Sequence, residues 1–366
     1  MNYKKRILKK IDRLATKLEC FDRHDYGMKG FLSYMMSDRK SNNLTIFRFN
    51  DETILRNPAK YYFGNKVAIV FQGPVVHEDN FTVDSIRMVR NIYPDICIIL
   101  STWKHGLLDD EKHVLEEVKC IIIENEEWGD EFKGNGEKTG HLNNQLLSAR
   151  GGIKYLLNNT EVEYALKIRT DLRLYKPNFI QYLLDVLKMY NGKERLISVA
   201  FSNSLPGVPF HLSDFVWFGK TELLYQLYSI PLRTEDELKY IVSYVNNTEE
   251  YLKYREQISK IMDKEFSDIK EDIKKINLKF MLLYHEESYI VYRYALSRGY
   301  ASDDILDQYP DFLAREVIVL DDNDLMAFWK KSLYSAVQTD YSIKMENRFS
   351  HAKWLHLYLK EKAFGE

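Results

Sequence analysis

From residue 66 onward, apolar runs of strand length alternate with stretches of helical periodicity, and this alternation constrains the fold more than any other feature of the chain. Val67-Ala68-Ile69-Val70-Phe71 is a β-rich run closed by Gln72-Gly73-Pro74, and Asp79 to Tyr93 follows as a helix with Val83, Ile86, Val89 and Ile92 on one side. Ile96 to Leu100 reads as a strand, Leu108 to Val118 as a helix, and Cys120 to Ile123 as a strand. His141 to Leu157 is helical, Tyr164 to Ile168 a strand, Pro177 to Tyr190 a helix opened by proline, and Leu196 to Phe201 another strand. Strands that are apolar throughout, joined by helices, predict an α/β fold with a mostly parallel sheet covered on both faces. Ligands of open sheets of this kind bind beyond the carboxyl ends of the strands, so those ends are where chemistry is expected.

The flanking segments read differently. Residues 1–18 carry Lys4, Lys5, Arg6, Lys9, Lys10, Arg13 and Lys17 against Asp12, with Ile7, Ile11, Leu14 and Leu18 on one side. This is a basic amphipathic helix, compatible with an anionic membrane face at about 1 kcal/mol per basic residue, although such helices more commonly pack on their own domain. Gly129 to Gly140 reads as a flexible loop. Residues 234–280 are dense in charge, with Phe266, Ile269, Ile273, Ile276 and Phe280 forming one apolar helical seam, and such seams usually close on the parent domain. A short strand, Val317 to Leu320, and two C-terminal helices containing Phe328, Trp329, Trp354, Leu355 and Leu359 complete the chain. The expected division is 1–64 as an N-terminal helical extension, 65–232 as an α/β domain, 233–280 as a helical insertion, and 281–366 as the remainder with C-terminal helices.

Composition removes several function classes. The 366 residues include 52 Lys and Arg against 54 Asp and Glu, which argues against a globally basic nucleic-acid binder. Three cysteines, Cys20, Cys97 and Cys120, form no CxxC pair, so neither a disulfide framework nor a structural zinc site is supported. No apolar stretch reaches the roughly 18 residues of a membrane span, and no apolar segment of a secretory signal follows the basic N-terminus. The sequons at Asn43, Asn80, Asn158 and Asn246 then read as chance, and a cytoplasmic location is expected. The chain is rich in aromatics, with 26 Tyr, 19 Phe and 5 Trp, as an ordered protein is.

At the strand ends, Gln72-Gly73-Pro74 is not the GxGxxG of a dinucleotide fold, and no GxxxxGK[ST] occurs, so dehydrogenase and P-loop NTPase readings are disfavoured. Ser101-Thr102-Trp103 offers two hydroxyls and an indole to bond and stack on a nucleotide base; the plainer account is a capped turn and a core tryptophan. Lys167-Ile168-Arg169-Thr170-Asp171-Leu172-Arg173 places a carboxylate between arginines at the mouth of the sheet, a combination suited to a divalent metal and a diphosphate, or to a simple neighbouring salt bridge. Asn143, Asn144, Gln145 and Ser148 lie in the first turns of a helix, where amides favour anions, although Asn143 or Asn144 also suits a cap. His211-Leu212-Ser213-Asp214 reads as a loop delivering His211 and Asp214 to the cleft before Phe215 to Gly219 re-enters the core. Glu286 and Glu287 open a helix, where acidic charge is favourable in itself; the functional reading is a general base or a metal ligand.

These blocks, Val67 to Pro74, Ser101-Thr102-Trp103, His141-Leu142-Asn143-Asn144-Gln145 with Ser148, and Leu166 to Asp171, followed by Ser213-Asp214 and Glu286-Glu287-Ser288-Tyr289, resemble the WavE lipopolysaccharide-synthesis family over about residues 65–330. The resemblance implies a GT-A-type fold and a glycosyltransferase that moves a sugar from a nucleotide-activated donor to a glycan or lipid-linked glycan acceptor, in lipopolysaccharide or capsule assembly. It also implies that Asp171 stands in place of the DxD motif, as the ligand of Mn2+ or Mg2+. A single Asp preceded by Arg169 and followed by Arg173 departs from the paired carboxylates common in such enzymes, so the two arginines are alternative partners of the leaving diphosphate. Gln72, Gly73, Pro74, Ser101, Thr102, Trp103, Asn144, Ser148, Arg169 and Arg173 are then the expected donor-binding residues. Asp214 and Glu287, with Glu286 and His211 behind them, are the expected bases. Any peripheral contact with the inner membrane would run through residues 1–18. A nucleotidyltransferase shares such a sheet but would show a glycine-rich basic signature after Phe71, and none occurs; a degenerate transferase acting as a scaffold is the non-enzymatic alternative.

Overall fold

The computed structural model describes residues 59–128, 133–134, 137–138, 141–176, 178–201, 205–262, 264, 266–330 and 348–364. The basic segment 1–18, most of the expected extension 1–64 and most of the loop 129–140 lie outside the described residues.

The alternating segments form β1 (Val67–Gln72), α1 (Phe81–Ile92), β2 (Cys97–Trp103), α2 (Asp109–Glu117) and β3 (Ile121–Asn125), then a small hairpin of β4 (Lys133–Gly134) and β5 (Glu137–Lys138). Next come α3 (Leu142–Asn159), β6 (Tyr164–Arg169), β7 (Leu172–Leu174), α4 (Phe179–Met189), β8 (Leu196–Ala200), β9 (Val216–Lys220) and α5 (Thr221–Tyr228). The charged segment becomes α6 (Glu235–Asn246), α7 (Thr248–Ile261) and α8 (Phe266–Ile273), and α9 (Leu278–Tyr284), α10 (Glu286–Ser297), α11 (Ile305–Glu316), β10 (Val317–Asp321), β11 (Ala327–Trp329) and α12 (His351–Phe364) follow.

Seven strands make the main sheet, in the order β10-β8-β9-β6-β1-β2-β3. The pairs β1 with β2, β2 with β3, β1 with β6 and β8 with β10 are parallel, as their unbroken apolar character predicts. Alternation along β1 sends successive side chains to opposite faces. On one face Ile69 and Phe71 join Leu166 and Ile168 against Met88 and Val89 of α1 and Phe179 of α4. On the other, a Cβ at Gly152 of α3 would lie 2.6 Å from Val70 Cγ1 and 3.0 Å from Ser101 Cβ, so glycine there lets α3 lie directly on the sheet. Helices therefore cover both faces.

Two segments differ from the sequence expectation. Phe215 to Gly219 does more than re-enter the core: β9 is a central strand, antiparallel to both β6 and β8. An apolar run reports burial but not direction, which is set by partners far along the chain. Phe328 and Trp329, expected in a helix, instead lie in β11, antiparallel to β7 with Trp329 opposite Leu172. The preceding Met326 has φ 49°, a left-handed turn that ends the short helical turn Asp322–Leu325 and turns the aromatic pair toward β7. The seam of the charged segment closes on the parent domain: Ile269, Ile273, Ile276 and Phe280 all join the main core. The helix itself breaks where Asn277 caps α9, accepting from the Phe280 N–H at 3.0 Å. Much of the tyrosine excess is packing material, with Tyr93, Tyr228, Tyr254, Tyr289, Tyr294 and Tyr309 all buried.

Candidate functional site

The carboxyl ends of β1, β2 and β6 open into a cleft of about 590 Å³. Gln72, Gly73, Pro74 and Val76 form its floor after β1, Trp103 and Glu127 one side, and His141, Asn144 and Gln145 at the start of α3 another. Arg169, Thr170 and Asp171 at the end of β6, with Asp214 before β9, complete it. The floor is tightly stitched. Thr170 N–H donates to the Gln72 carbonyl at 3.1 Å and its hydroxyl to the Pro74 carbonyl at 2.6 Å. Gly73 has φ 120°, which side chains rarely adopt, and a Cβ there would lie 3.3 Å from Thr170 Oγ1.

Asp171 is almost entirely held by donors of this chain. Arg169 grips it through a side-on fork, Nε to Oδ1 and one terminal nitrogen to Oδ2, both at 2.9 Å. The Trp329 indole N–H adds 3.0 Å to Oδ2. β11 thus delivers a site residue that sequence reasoning missed, 158 positions away, with no local signal to reveal it. Lys167 was legible in principle, because a lysine inside the apolar run of β6 breaks its pattern. It is fully buried, donates to the Asp214 backbone carbonyl and stands 3.8 Å from Asp214 Oδ2. Burial pushes its ammonium down to about 8 against the pull of Asp214. Arg169 approaches Asp214 Oδ1 at 3.7 Å and stacks on the Phe215 ring at 4.5 Å. Burial opposes the charge of Arg169, but Asp214 and Asp171 outweigh it and hold the guanidinium above its ordinary range.

The residues singled out from the sequence divide into three groups. Gln72, Gly73, Pro74, Trp103, Asn144, Arg169, Asp171 and Asp214 line the cleft together. Ser101, Thr102, Ser148 and Arg173 are buried and do not line it. Ser101 Oγ donates to the Ser148 carbonyl at 2.6 Å, and Gln72 Nε2 to Ser148 Oγ at 2.6 Å, which locks α3 to β1 and β2. Ser101 and Thr102 lie inside β2, which runs on to Trp103, so the sheet buries both hydroxyls. Arg173 is turned to α1, donating to Ser85 Oγ at 2.7 Å and to the Phe81 carbonyl at 3.0 Å over the Phe81 ring, and it is not placed to meet a ligand in the cleft. Asn143 is no cap: it is buried and exchanges two hydrogen bonds with the Arg233 backbone, at 2.8 and 3.0 Å, while His141 takes the cap position of α3.

Glu286, Glu287 and His211 stand behind the lining. His211 is buried 3.6 Å from Glu287, with its ring 5.4 Å from that of His285. Burial, and then His211, push His285 down to about 3, so it is neutral and bonds the Tyr254 hydroxyl at 2.9 Å. Glu286 accepts the His141 N–H at 2.6 Å and Gln145 Nε2 at 2.7 Å, fixing two lining residues. Burial and then the Glu287 charge push its carboxyl up to about 7. A carboxyl raised from 4.5 stabilises the fold fully below that value and loses the contribution as pH rises through about 7. Glu286→Gln is therefore expected to flatten this decline, gaining on the order of 1 kcal/mol relative to wild type between pH 5 and 8 in urea unfolding. Equal pH dependence in the two proteins would refute the shifted carboxyl.

The donor set does not fit a resident divalent cation. Hard cations take oxygen ligands, yet both oxygens of Asp171 already accept hydrogen bonds, and Asp214, the neighbouring carboxylate, lies beside the cations Arg169 and Lys167. Among the described residues no group of three or more His, Cys, Asp or Glu side chains is arranged to hold a metal ion. None of their helices is long and apolar enough to cross a membrane.

One family profile matches the chain, over residues 67–363: WavE lipopolysaccharide synthesis. No curated protein matches. Among solved structures, the chain is similar to the mannosyltransferase PcManGT from Pyrobaculum calidifontis in complex with GDP-Man and Mn2+, at 10% identity and a TM-score of 0.30 over 88% of this chain and 95% of that one. It is similar to glucosyl-3-phosphoglycerate synthase from Mycobacterium tuberculosis in complex with Mg2+ and UDP, at 13% identity and 0.27 over 50% and 65%. A cytidylyltransferase from Leptospira borgpetersenii gives 15% identity and 0.27 over 57% and 94%. Likenesses this distant carry no functional inference.

Proposed function

This chain belongs to the WavE lipopolysaccharide-synthesis family, and from that premise we propose that it transfers a sugar from a nucleotide-diphosphate donor to a hydroxyl of a growing surface glycan, in lipopolysaccharide or capsule assembly. The observation that carries the reading is the cleft beyond β1, β2 and β6, where an indole, a guanidinium and a carboxylate face one space.

Each has a separate task in such a transfer. Trp103 offers an aromatic face to the nucleotide base. Arg169 meets the diphosphate, whose charge grows as the bond to the sugar breaks; a preorganised cation there stabilises the departing group without reorganising. The N-terminus of α3, with Asn144 and Gln145 on the wall, adds the partial positive charge of its helix dipole. Asp214 is the base that takes the proton of the acceptor hydroxyl as that oxygen attacks the anomeric carbon. Of the four bases expected from the sequence it alone lines the cleft, and geometry takes precedence over basicity in choosing a base. Glu286 positions His141 and Gln145 and is not itself a catalytic residue.

A panel of UDP, GDP and dTDP and their sugars, with CMP and its sugars as the monophosphate control, followed by thermal shift and donor turnover, tests the reading. One nucleoside diphosphate is expected to raise the melting temperature, and Trp103→Ala is expected to weaken its binding roughly 5- to 150-fold, the loss of about 1–3 kcal/mol of stacking. No response to any nucleotide or donor would remove the transferase reading and leave a scaffold in polysaccharide assembly.

A further inference from the structure

We infer that the guanidinium of Arg169, held by Asp171 and faced by Asp214, is itself the cation that receives the donor diphosphate, so that nucleotide binding in this cleft is independent of divalent metal. The inference rests on the nucleotide-sugar reading above.

The arrangement of donors carries it. Arg169 spends its side-on edge, Nε and one terminal nitrogen, on the two oxygens of Asp171. Its other terminal nitrogen is 3.7 Å from Asp214 Oδ1, an ion pair too long for a good hydrogen bond. The end-on edge between the two terminal nitrogens therefore keeps N–H groups for a second partner, and a phosphate accepts such an edge through two parallel hydrogen bonds. Arg169 lines the cleft with about a fifth of its side chain exposed (21%), and the Phe215 ring beneath fixes the plane of the guanidinium. Asp171 thus acts as the orienting partner of a cation. A divalent ion placed between Asp171 and Asp214 would have to displace the Arg169 fork and the Trp329 indole, and would lie against two positive side chains, Arg169 and buried Lys167. The structure has built a fixed organic cation at the position where paired carboxylates would otherwise recruit a mobile metal.

The test is titration calorimetry of the full chain with UDP, GDP and dTDP, first in excess EDTA and then with Mn2+ or Mg2+, together with the electron paramagnetic resonance signal of free Mn2+. The nucleotide that binds is expected to have dissociation constants within about threefold of one another in all conditions, and the free Mn2+ signal is expected to stay unchanged when protein is added. Arg169→Lys, which keeps a positive charge beside buried Asp171 but loses the two-pronged edge, is expected to weaken that nucleotide roughly 10- to 100-fold in EDTA. Metal tightening binding by more than about tenfold, or Mn2+ captured by wild type and released by Asp171→Asn, would overturn the inference while leaving the nucleotide-sugar reading intact. No nucleotide bound in any condition would overturn both.

Discussion

Asp214→Asn is expected to lower kcat by about 10²- to 10⁴-fold, the usual worth of a general base, with the affinity for the donor nucleotide nearly unchanged. The reasoning starts from where the carboxylate sits. Its oxygens are 3.7 Å from Arg169 and 3.8 Å from Lys167, close enough to be oriented by charge yet too far to be consumed in tight hydrogen bonds. Asparagine keeps the shape and leaves the Asp214 backbone carbonyl as the acceptor of Lys167, so the local packing survives. What it removes is the ability to accept a proton. Steady-state kinetics with saturating donor, set beside calorimetric nucleotide affinity for the same variant, separates the two effects. A kcat within about threefold of wild type would take the base role away from Asp214, and an equal loss in nucleotide affinity would make it a positioning partner of Arg169 instead.

The second large effect concerns stability. Trp354→Ala is expected to cost about 3–5 kcal/mol in urea unfolding, in the range of buried aromatic truncations. Trp354 lies in α12 with no exposed surface, and its indole N–H bonds the carbonyls of both Leu313 and Val317 at 2.9 Å. Its ring stacks on Tyr358 and meets Tyr190 edge-on. One side chain thus fastens the C-terminal helix to the junction of α11 and the edge strand β10. Trp354→Phe retains an aromatic ring, removes the donor, and should fall between the two. A loss below about 1 kcal/mol for the alanine variant would mean that α12 is not part of the cooperative unit.

The fold was legible where its cause is local. Runs such as Val67 to Phe71 carry no alternation because both faces of β1 are covered, and the helix between Asp79 and Tyr93 shows its buried side at helical spacing; observed ends differ by a few residues. For two strands, direction and partner were not legible. β9 and β11 show only that their residues are apolar, and nothing in that character tells a central antiparallel strand from a return to the core, or a three-residue strand from the start of a helix. The site followed the same division. Ser101 and Thr102 sit beside Trp103 in sequence, yet the sheet buries both hydroxyls. Arg169 and Arg173 look equivalent around Asp171, but the chain turns between β6 and β7, so one faces the cleft and the other faces α1.

By itself, then, the sequence determined the mostly parallel sheet and the neighbourhood of its chemistry, the turn at Gln72-Gly73-Pro74 and the charged end of β6, because periodicity and strand ends are properties of adjacent residues. The tertiary structure decided which side chains meet there. It set the Trp329 indole on Asp171, put Lys167 and Arg169 beside Asp214, and gave both oxygens of Asp171 hydrogen bonds from side chains of the same protein. Such contacts join residues up to 158 positions apart, and a separation of that length leaves no period or spacing in the chain from which to read them.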